Sequence, residues 1–514
     1  MITIKEFLLN PKNYPEKTQE IKYFETHISQ VFVGDKYVYK IKKPVDFGFL
    51  NFTTLKRRQY YCKREVELNK RLAKDLYLGV KKIYFDGNNF SFQKKEGSKV
   101  YEYAVYIKKI NEKKILYNLI IDGRLIKGID RLAKTLYDFH KSVPIYKGKD
   151  YGDIKSVSFN TKENFEQVQS YIGRTIDKET FDIIKDYTEK FLVVNKELFK
   201  DRKKNGFVKE VHGDLHSQHI CIDDDIIIFD CIEFNNRFRI SDILEDIAFL
   251  LMDLEYKGRY DLSKELKKYY FDYYKPAYNE ELLNFYKVYR AYVRGKIEGF
   301  IADGINDYEQ KEKVIKKAKD YFSLARFYIE KNSIDFNPLI FMGVSGSGKS
   351  TVANYFKENL TILKSDEIRK EIVGMRKDEH QYVSYGEGIY SKEISEKTYS
   401  ELIKRGIKIA KEGKKVILDA TFISPEGREK ALKTLLENGL SPLFLNFFAS
   451  EKILKERVLK RMREEKDVSD AHLEILEKQL KNYKMPENIP SFRLFNINTE
   501  ENLDDIVQEI KKIL

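Results

Sequence analysis

Eight consecutive residues, Gly343-Val344-Ser345-Gly346-Ser347-Gly348-Lys349-Ser350, satisfy the pattern G-x-x-x-x-G-K-[ST] without a departure. Glycine at 343, 346 and 348 permits tight or positive-φ backbone geometry, so successive N–H groups can turn toward phosphate oxygens. Lys349 can reach the terminal phosphates, and the Ser350 hydroxyl can sit on Mg²⁺. Ser345, Ser347 and Thr351 complete the expected cradle. The apolar run Leu339-Ile340-Phe341-Met342 precedes the octet and an apparent helix follows it. That strand–loop–helix context turns a pattern into a phosphate site. The stretch predicts binding of a nucleoside triphosphate, ATP, together with Mg²⁺.

Further along, Leu363-Lys364-Ser365-Asp366-Glu367-Ile368-Arg369 puts an acid and a base at the exit of the next expected strand. Ligands of open α/β sheets bind beyond the carboxyl ends of strands, so Asp366 and Arg369 are placed to face an acceptor. Val416-Ile417-Leu418-Asp419 is an apolar strand ending in an acid, a position suited to metal, water or substrate, or to capping a turn. Arg457 and Arg461 fall on one face of an expected helix. With Arg463 and Ser469-Asp470-Ala471 they look like a lid that neutralises a transferring phosphate.

A second constellation lies upstream. His212-Gly213-Asp214-Leu215-His216 stands just before an apolar strand that ends at Asp230. Phosphoryl transfer from ATP needs such a pair: one carboxylate orients the attacking hydroxyl and takes its proton, and the other holds Mg²⁺ against the phosphates. This block resembles the catalytic block of the aminoglycoside phosphotransferase family, which has the protein-kinase-like bilobed fold. The resemblance implies that Asp214 is the catalytic base and Asp230 a metal ligand. Tyr37-Val38-Tyr39-Lys40 is similar to the kinase strand carrying the phosphate-pairing lysine, and Glu65 lies on the following helix where its partner would be. Lys42 shares the strand face of Lys40 and competes for the role. The family places a metal-binding Asn five residues after the catalytic Asp; here that position is His219. Imidazole is a poor ligand for Mg²⁺, which favours hard oxygens. Either Gln218 supplies oxygen, or one metal is held weakly, or this half binds nucleotide without efficient transfer.

Thr26-His27-Ile28-Ser29, Lys40-Ile41-Lys42-Lys43-Pro44, Phe47-Gly48-Phe49-Leu50 and Leu76-Tyr77-Leu78-Gly79-Val80 look characteristic of a bacterial fusion family, as does the run from Phe229 to Arg239. Its members join a phosphotransferase-like domain to a P-loop kinase-like ATP-binding domain. The Asp366 arrangement also resembles small P-loop kinases, among them gluconate kinases, zeta-toxin-like kinases and polynucleotide 5′-hydroxyl kinases, in which such an aspartate orients the hydroxyl.

These groups must be positioned by elements that the rest of the chain supplies. At 514 residues the chain exceeds what one hydrophobic core serves, so two or three domains are expected. Residues 31–42 read as a hairpin turning at Gly34-Asp35 and ended by Pro44. Residues 55–73 read as a helix whose apolar positions are Tyr60, Tyr61, Val66, Leu68 and Leu72. Residues 100–110 read as a strand, and helices dominate residues 128–198 around a loop at 146–158. Short strands flank the His212 block, and helices resume from 243 to 331. Pro338 closes a linker at 332–338. Residues 339–344, 360–363, 415–419, 442–448 and 493–497 then alternate as strands with helices, the signature of a parallel α/β sheet.

The expected architecture is an α+β bilobed kinase-like half over residues 1–331, divided near residue 110, joined to an α/β P-loop domain with a mostly parallel sheet over residues 339–514. The net charge of +13 fits an anion-handling protein, but the lysines are spread along the chain rather than gathered in one block. Nucleic acid is therefore a possible partner and not the favoured one. The 36 tyrosines and 34 phenylalanines read as core. Three cysteines make neither a disulfide framework nor a zinc motif. No apolar stretch reaches membrane-spanning length, and Lys5 and Glu6 interrupt any leader, so a cytoplasmic protein is expected. The function expected is phosphate transfer to a hydroxyl of a small molecule. The alternatives are a polynucleotide 5′-hydroxyl kinase and a nucleotide sensor whose N-terminal half is a pseudokinase.

Overall fold

The computed structural model describes residues 2–124, 126–330, 334–376, 388–464, 473–486 and 488–513. The chain forms two compact units. One comprises Met1–Ser170, Lys185–Asp253 and Glu265–Arg290; the other comprises Tyr171–Ile184, Leu254–Lys264 and Ala291–Leu514.

In the first unit, strands β1 (Lys22–Glu25), β2 (Ser29–Val33), β3 (Tyr37–Lys42), β4 (Tyr77–Phe85), β5 (Phe90–Ser91) and β6 (Lys99–Lys108) form one antiparallel sheet in the order β1-β2-β3-β6-β4-β5. The β2–β3 hairpin closes at Gly34, whose N–H donates to the Tyr37 carbonyl at 2.9 Å. Alternation along β3 splits its side chains between two faces. Tyr39 and Ile41 join Phe7, Leu8, Phe32 and Ala104 in one core, and Lys40 and Lys42 turn the other way, toward Glu65 of the helix Leu55–Asn69.

That helix buries Arg58, Cys62, Glu65, Val66, Leu68 and Asn69, and Tyr60 is 60% exposed. Of the expected apolar positions Val66 and Leu68 turn inward and Tyr60 faces out, while Glu65 joins the buried side. The helix also ends before residue 73: the Asn69 side chain donates to the Glu65 carbonyl, competing with the backbone ladder. The loop expected at 146–158 is shorter, since Asp153 accepts from the Ser156 N–H and caps a helix at Ile154–Val168. Two strand pairs frame the His212 block: β7 (Val208–Glu210) with β10 (Ile240–Asp242), and β8 (Ile220–Ile222) with β9 (Ile226–Ile228), both antiparallel.

In the second unit, β11 (Leu339–Met342), β12 (Thr361–Lys364), β13 (Val416–Asp419), β14 (Leu443–Phe448) and β15 (Leu494–Asn498) form a wholly parallel sheet in the order β12-β13-β11-β14-β15. All five coincide with the expected strands to within two residues. Leu339, Ile340, Phe341 and Met342 are buried on both faces, as a central parallel strand requires. The order reverses beside β11, so the crevice for a ligand opens at the carboxyl ends of β11, β13 and β12.

The units do not follow the expected division at residue 331, and residues 331–333 of the expected linker lie outside the described ones. Side-chain bonds hold the earlier segments within the second unit. Asn496 donates to the Gly258 carbonyl at 2.6 Å, Tyr260 stacks on Phe495, Tyr328 donates to Glu255 at 2.6 Å, and Arg326 donates to Glu179 at 3.1 Å. Among the described residues no helix is long and apolar enough to cross a membrane.

Candidate functional site

The site of the first unit is built on the loop between β7 and β8. Gly213 has φ +87°, and a Cβ there would lie 2.8 Å from the Phe238 carbonyl oxygen, so only glycine makes the turn. The turn is then pinned from below. Asp246, fully buried on the helix Ile243–Tyr256, accepts the His212 N–H on one carboxylate oxygen and the Gly213 N–H on the other, both at 2.9 Å. His140 stands 3.2 Å from the same carboxylate. Burial pushes the Asp246 carboxyl up, but its bond to His140 and the nearby imidazoles outweigh that and hold it below the ordinary range. Asp253, one further acid on that helix, accepts the Ser217 N–H at 2.8 Å.

His212 accepts the Asp214 N–H on Nδ1 at 3.2 Å and meets the Phe229 carbonyl with Nε2 at 2.9 Å. An imidazole that accepts on one nitrogen must donate from the other, so His212 is the neutral Nε2–H tautomer. Burial lowers its pKa, which agrees. Asp214 and Asp230 lie on opposite sides of the His219 ring. His219 Nδ1 is 2.9 Å from the Asp214 carbonyl, and its Nε2 is 3.6 Å from Asp230 Oδ2. Asp230 adopts φ +64°, rare for a non-glycine residue.

The lysines separate clearly. Lys40 Nζ is 2.8 Å from Asp230 Oδ1 and 3.0 Å from Glu65 Oε1, and it borders the partly exposed Asp230 carboxylate. Lys42 is buried behind it, bonded to Glu65 Oε2 at 2.7 Å and to Glu233, under the Phe52 ring. Burial pushes the Lys40 ammonium down, yet Asp230 and Glu65 outweigh it and raise its pKa. The same carboxylate is shared: Glu65 is held low by Lys40 and Lys42 against its own burial. Lys40 thus faces the open carboxylates, and Lys42 is an internal ion in a closed pair of acids. Cys62 and Cys231 are buried thiols pushed up to about 12, and Cys221 is buried too, so none is a reactive thiolate.

In the second unit the glycine loop follows β11. Gly343, Gly346 and Gly348 have φ of +139°, +79° and +89°. A Cβ on Gly346 would lie 2.9 Å from the Leu454 carbonyl oxygen. Lys349 is buried and donates to the Val344 carbonyl at 3.2 Å, closing the loop on itself. The Ser350 hydroxyl donates to Asp419 Oδ2 at 2.8 Å. Hydroxyl and carboxylate side by side form an all-oxygen donor pair, the type that suits Mg²⁺. The Ser347 hydroxyl is buried with no hydrogen-bond partner among the described residues. Thr351 is exposed on the first turn of the helix that begins at Lys349.

Asp366 opens the helix Ser365–Ile372 two residues beyond Lys364, which pairs in register with Asp419. Asp366 and Asp419 therefore share one end of the sheet. Arg369 Nε is 4.0 Å from Asp366 Oδ1, and Arg369 also donates to the Ile389 carbonyl and Ser395 at 3.1 Å. Arg457 is not swung out as a lid arginine. It donates to the Thr499 hydroxyl and carbonyl at 2.8 and 2.7 Å and reaches the Gly346 carbonyl at 3.4 Å, tying the loop after β15 to the glycine loop. Arg461 follows one turn later on the helix Glu451–Glu464. The Arg463 side chain and Ser469-Asp470-Ala471 lie outside the described residues.

Three groups of these sites were not read as such in the sequence. Asp246 had a signal, an acid inside an apolar helix that must find a partner. Glu233, the second anchor of Lys42, stands within the run Phe229 to Arg239 that carries the family likeness but was given no role, and Gln479, whose Oε1 accepts the Ser345 N–H at 2.7 Å, had no signal.

Residues 339–486 match the family described as AAA domain. An uncharacterized protein of Mycobacterium tuberculosis and one of Mycobacterium bovis are each 25% identical to this chain over 450 residues, covering 85% of this chain and 85% of theirs. Among solved structures, ADP-bound aminoglycoside phosphotransferase APH(2'')-Ib is 17% identical with a TM-score of 0.35, covering 61% of this chain and 95% of that one. A gluconokinase from Sinorhizobium meliloti 1021 is 19% identical with a TM-score of 0.26, covering 34% of this chain and 90% of its own.

Two outcomes are expected. Asp246→Asn, which leaves the His212 or Gly213 N–H without its charged acceptor, lowers unfolding stability by roughly 2–4 kcal/mol at neutral pH. Because the folded carboxyl is depressed, its contribution is present above the ordinary carboxylate pKa and is lost as pH falls toward the folded value. Urea titrations at a series of acid pH values should therefore show a shallower pH slope for the variant; parallel slopes would refute the role. Gly346→Ala, strained by its φ and by the Leu454 carbonyl, should weaken ATP binding at least about tenfold in calorimetry.

Proposed function

We propose that the protein is an ATP-dependent phosphotransferase with one nucleotide site in each unit, moving a phosphoryl group to a hydroxyl of a small-molecule acceptor. The observation that carries this reading is the Ser350 hydroxyl on Asp419 at the foot of the glycine loop. An oxygen pair of this kind, beside amides freed by glycine geometry and a lysine that reaches a neutral carbonyl of the same loop, suits a metal–triphosphate ligand. Mg²⁺ held through Ser350 and Asp419 supplies charge neutralisation on the phosphates when bound.

The chain's own residues do the rest. Lys349 exchanges the Val344 carbonyl for phosphate oxygen, a stronger charge-assisted bond. Asp366 orients the acceptor hydroxyl and takes its proton while the acceptor oxygen bonds to the γ-phosphorus, the bond to the bridging oxygen breaks, and ADP leaves. Arg369, anchored on Ile389 and Ser395, keeps positive charge beside that aspartate. In the other unit, Lys40 pairs with phosphate, Asp214 accepts the proton and Asp230 is a metal ligand by the same logic. One observation favours a second reading, a nucleotide-sensing regulator: His219 stands between Asp214 and Asp230, where transfer needs an oxygen ligand.

Lys349→Ala and Asp214→Ala, each measured for ATP binding and for transfer to sugars, nucleosides and oligonucleotides, separate the readings. Each variant should lose a distinct transfer activity by about a hundredfold or more. Loss with Lys349→Ala alone would support the regulator, and transfer confined to oligonucleotide 5′-hydroxyls would replace the small-molecule acceptor. Unchanged ATP turnover in both variants would end the proposal.

A further inference from the structure

The cluster around His219 points to a different metal from the one the glycine loop suits. His219 Nδ1 lies 2.9 Å from the Asp214 carbonyl, an acceptor only, so Nδ1 carries the proton and Nε2 presents a lone pair. A histidine that ligates a metal is commonly oriented in this way, its other N–H donated to a backbone carbonyl. The Nε2 lone pair looks at Asp230 Oδ2, 3.6 Å away. That is too long for a hydrogen bond, and it matches two donors each about 2.1 Å from one ion. Asp230 Oδ1 is already committed to Lys40 at 2.8 Å, so the carboxylate is oriented with its second oxygen toward the imidazole.

On the Nδ1 side of the ring stands Asp214, its Oδ2 3.6 Å from Nδ1. His216 Nε2 is 3.4 Å from Asp214 Oδ2, and Asp214, His216 and His219 each offer a donor atom within 4.8 Å of the others. The ring centroids of His216 and His219 are 3.9 Å apart with the planes tilted by 36°, so the two imidazoles pack against each other. Charge favours a cation as well, since the two ammonium groups of Lys40 and Lys42 face three carboxylates, Glu65, Glu233 and Asp230, and Asp214 adds a further negative charge near Asp230. We propose that His219 Nε2 and Asp230 bind a divalent first-row transition ion of the Mn²⁺, Co²⁺ or Zn²⁺ class in preference to Mg²⁺. Mixed imidazole and carboxylate donors suit those ions, and Mg²⁺ takes oxygen. The inference rests on the reading of this unit as a metal–nucleotide site and names the metal that site selects.

The test uses full-length protein carrying Ser350→Ala, which weakens the second metal site, without nucleotide. Mn²⁺ is added and pulsed EPR records nitrogen coupling to the ion, with Mg²⁺ competition measured in the same samples. Nitrogen coupling should be present and should vanish in His219→Asn. The excess of Mg²⁺ needed to displace Mn²⁺ should drop by about tenfold or more, following the preference of imidazole for the transition ions. His219→Gln serves as the second variant if the first does not fold, as judged by circular dichroism. Coupling that is absent from the start, or that survives loss of the His219 ring, overturns the assignment. ATP binding by the same protein is read separately: bound Mn²⁺ with nitrogen coupling but no ATP binding by this unit would sink the nucleotide reading and leave the metal site standing.

Discussion

A charged group removed from water must meet its opposite or a set of donors, and the carboxylate of Asp246 shows how much of one site follows from that requirement. Buried without exposure on an apolar helix, it is stable only because two backbone N–H groups and an imidazole converge on it. Those two N–H groups belong to His212 and Gly213. Satisfying the acid therefore sets the path of the loop, and the loop sets where Asp214 stands. The same demand, met by Glu65 and Glu233, holds Lys42 inside and leaves Lys40 to reach Asp230. The site is arranged by the pairing of buried charge more than by shape.

The second unit solves its problem with backbone freedom. Three glycines with positive φ let the chain reverse within one loop length while passing close to the Leu454 carbonyl and the Thr499 side chain. Arg457 then binds the loop after β15 to the Gly346 carbonyl, so one arginine holds the loop's outer side. A parallel sheet aligns Ser350, Asp419 and Asp366 at one end without any long connection, because β11, β12 and β13 are neighbours and run the same way. Rigid strands deliver the donors, and the loop supplies the amides.

The two sites differ in donor chemistry, and that difference is chemical before it is geometric. Hydroxyl and carboxylate oxygens meet at Ser350 and Asp419. Imidazole nitrogen and carboxylate oxygen meet at His219 and Asp230. Imidazole nitrogen is a softer donor than hydroxyl or carboxylate oxygen, which is the chemical difference between the two pairs.

Much of this was legible before any coordinates. The five strands of the parallel sheet were readable because each is a short apolar run bounded by breakers, and the glycine loop because lysine and serine follow it at fixed spacing. Asp214, Asp230 and Asp366 were readable as acids at strand ends or loops, where carboxylates do chemistry. What periodicity could not supply was pairing across long separations. Lys40 and Lys42 share a strand face and differ only in what stands opposite, namely Asp230 and Glu233, about 190 residues away. The orientation of Arg457, the tautomer of His219 and the grouping of residues 171–184 and 254–264 with the C-terminal half are likewise contacts between distant segments, with boundaries inside helices that carry no local mark. The sequence by itself determined which residues could carry charge, bend the backbone or bury; only the tertiary structure decided which of them meet, because a partner's identity is written in space and not in spacing.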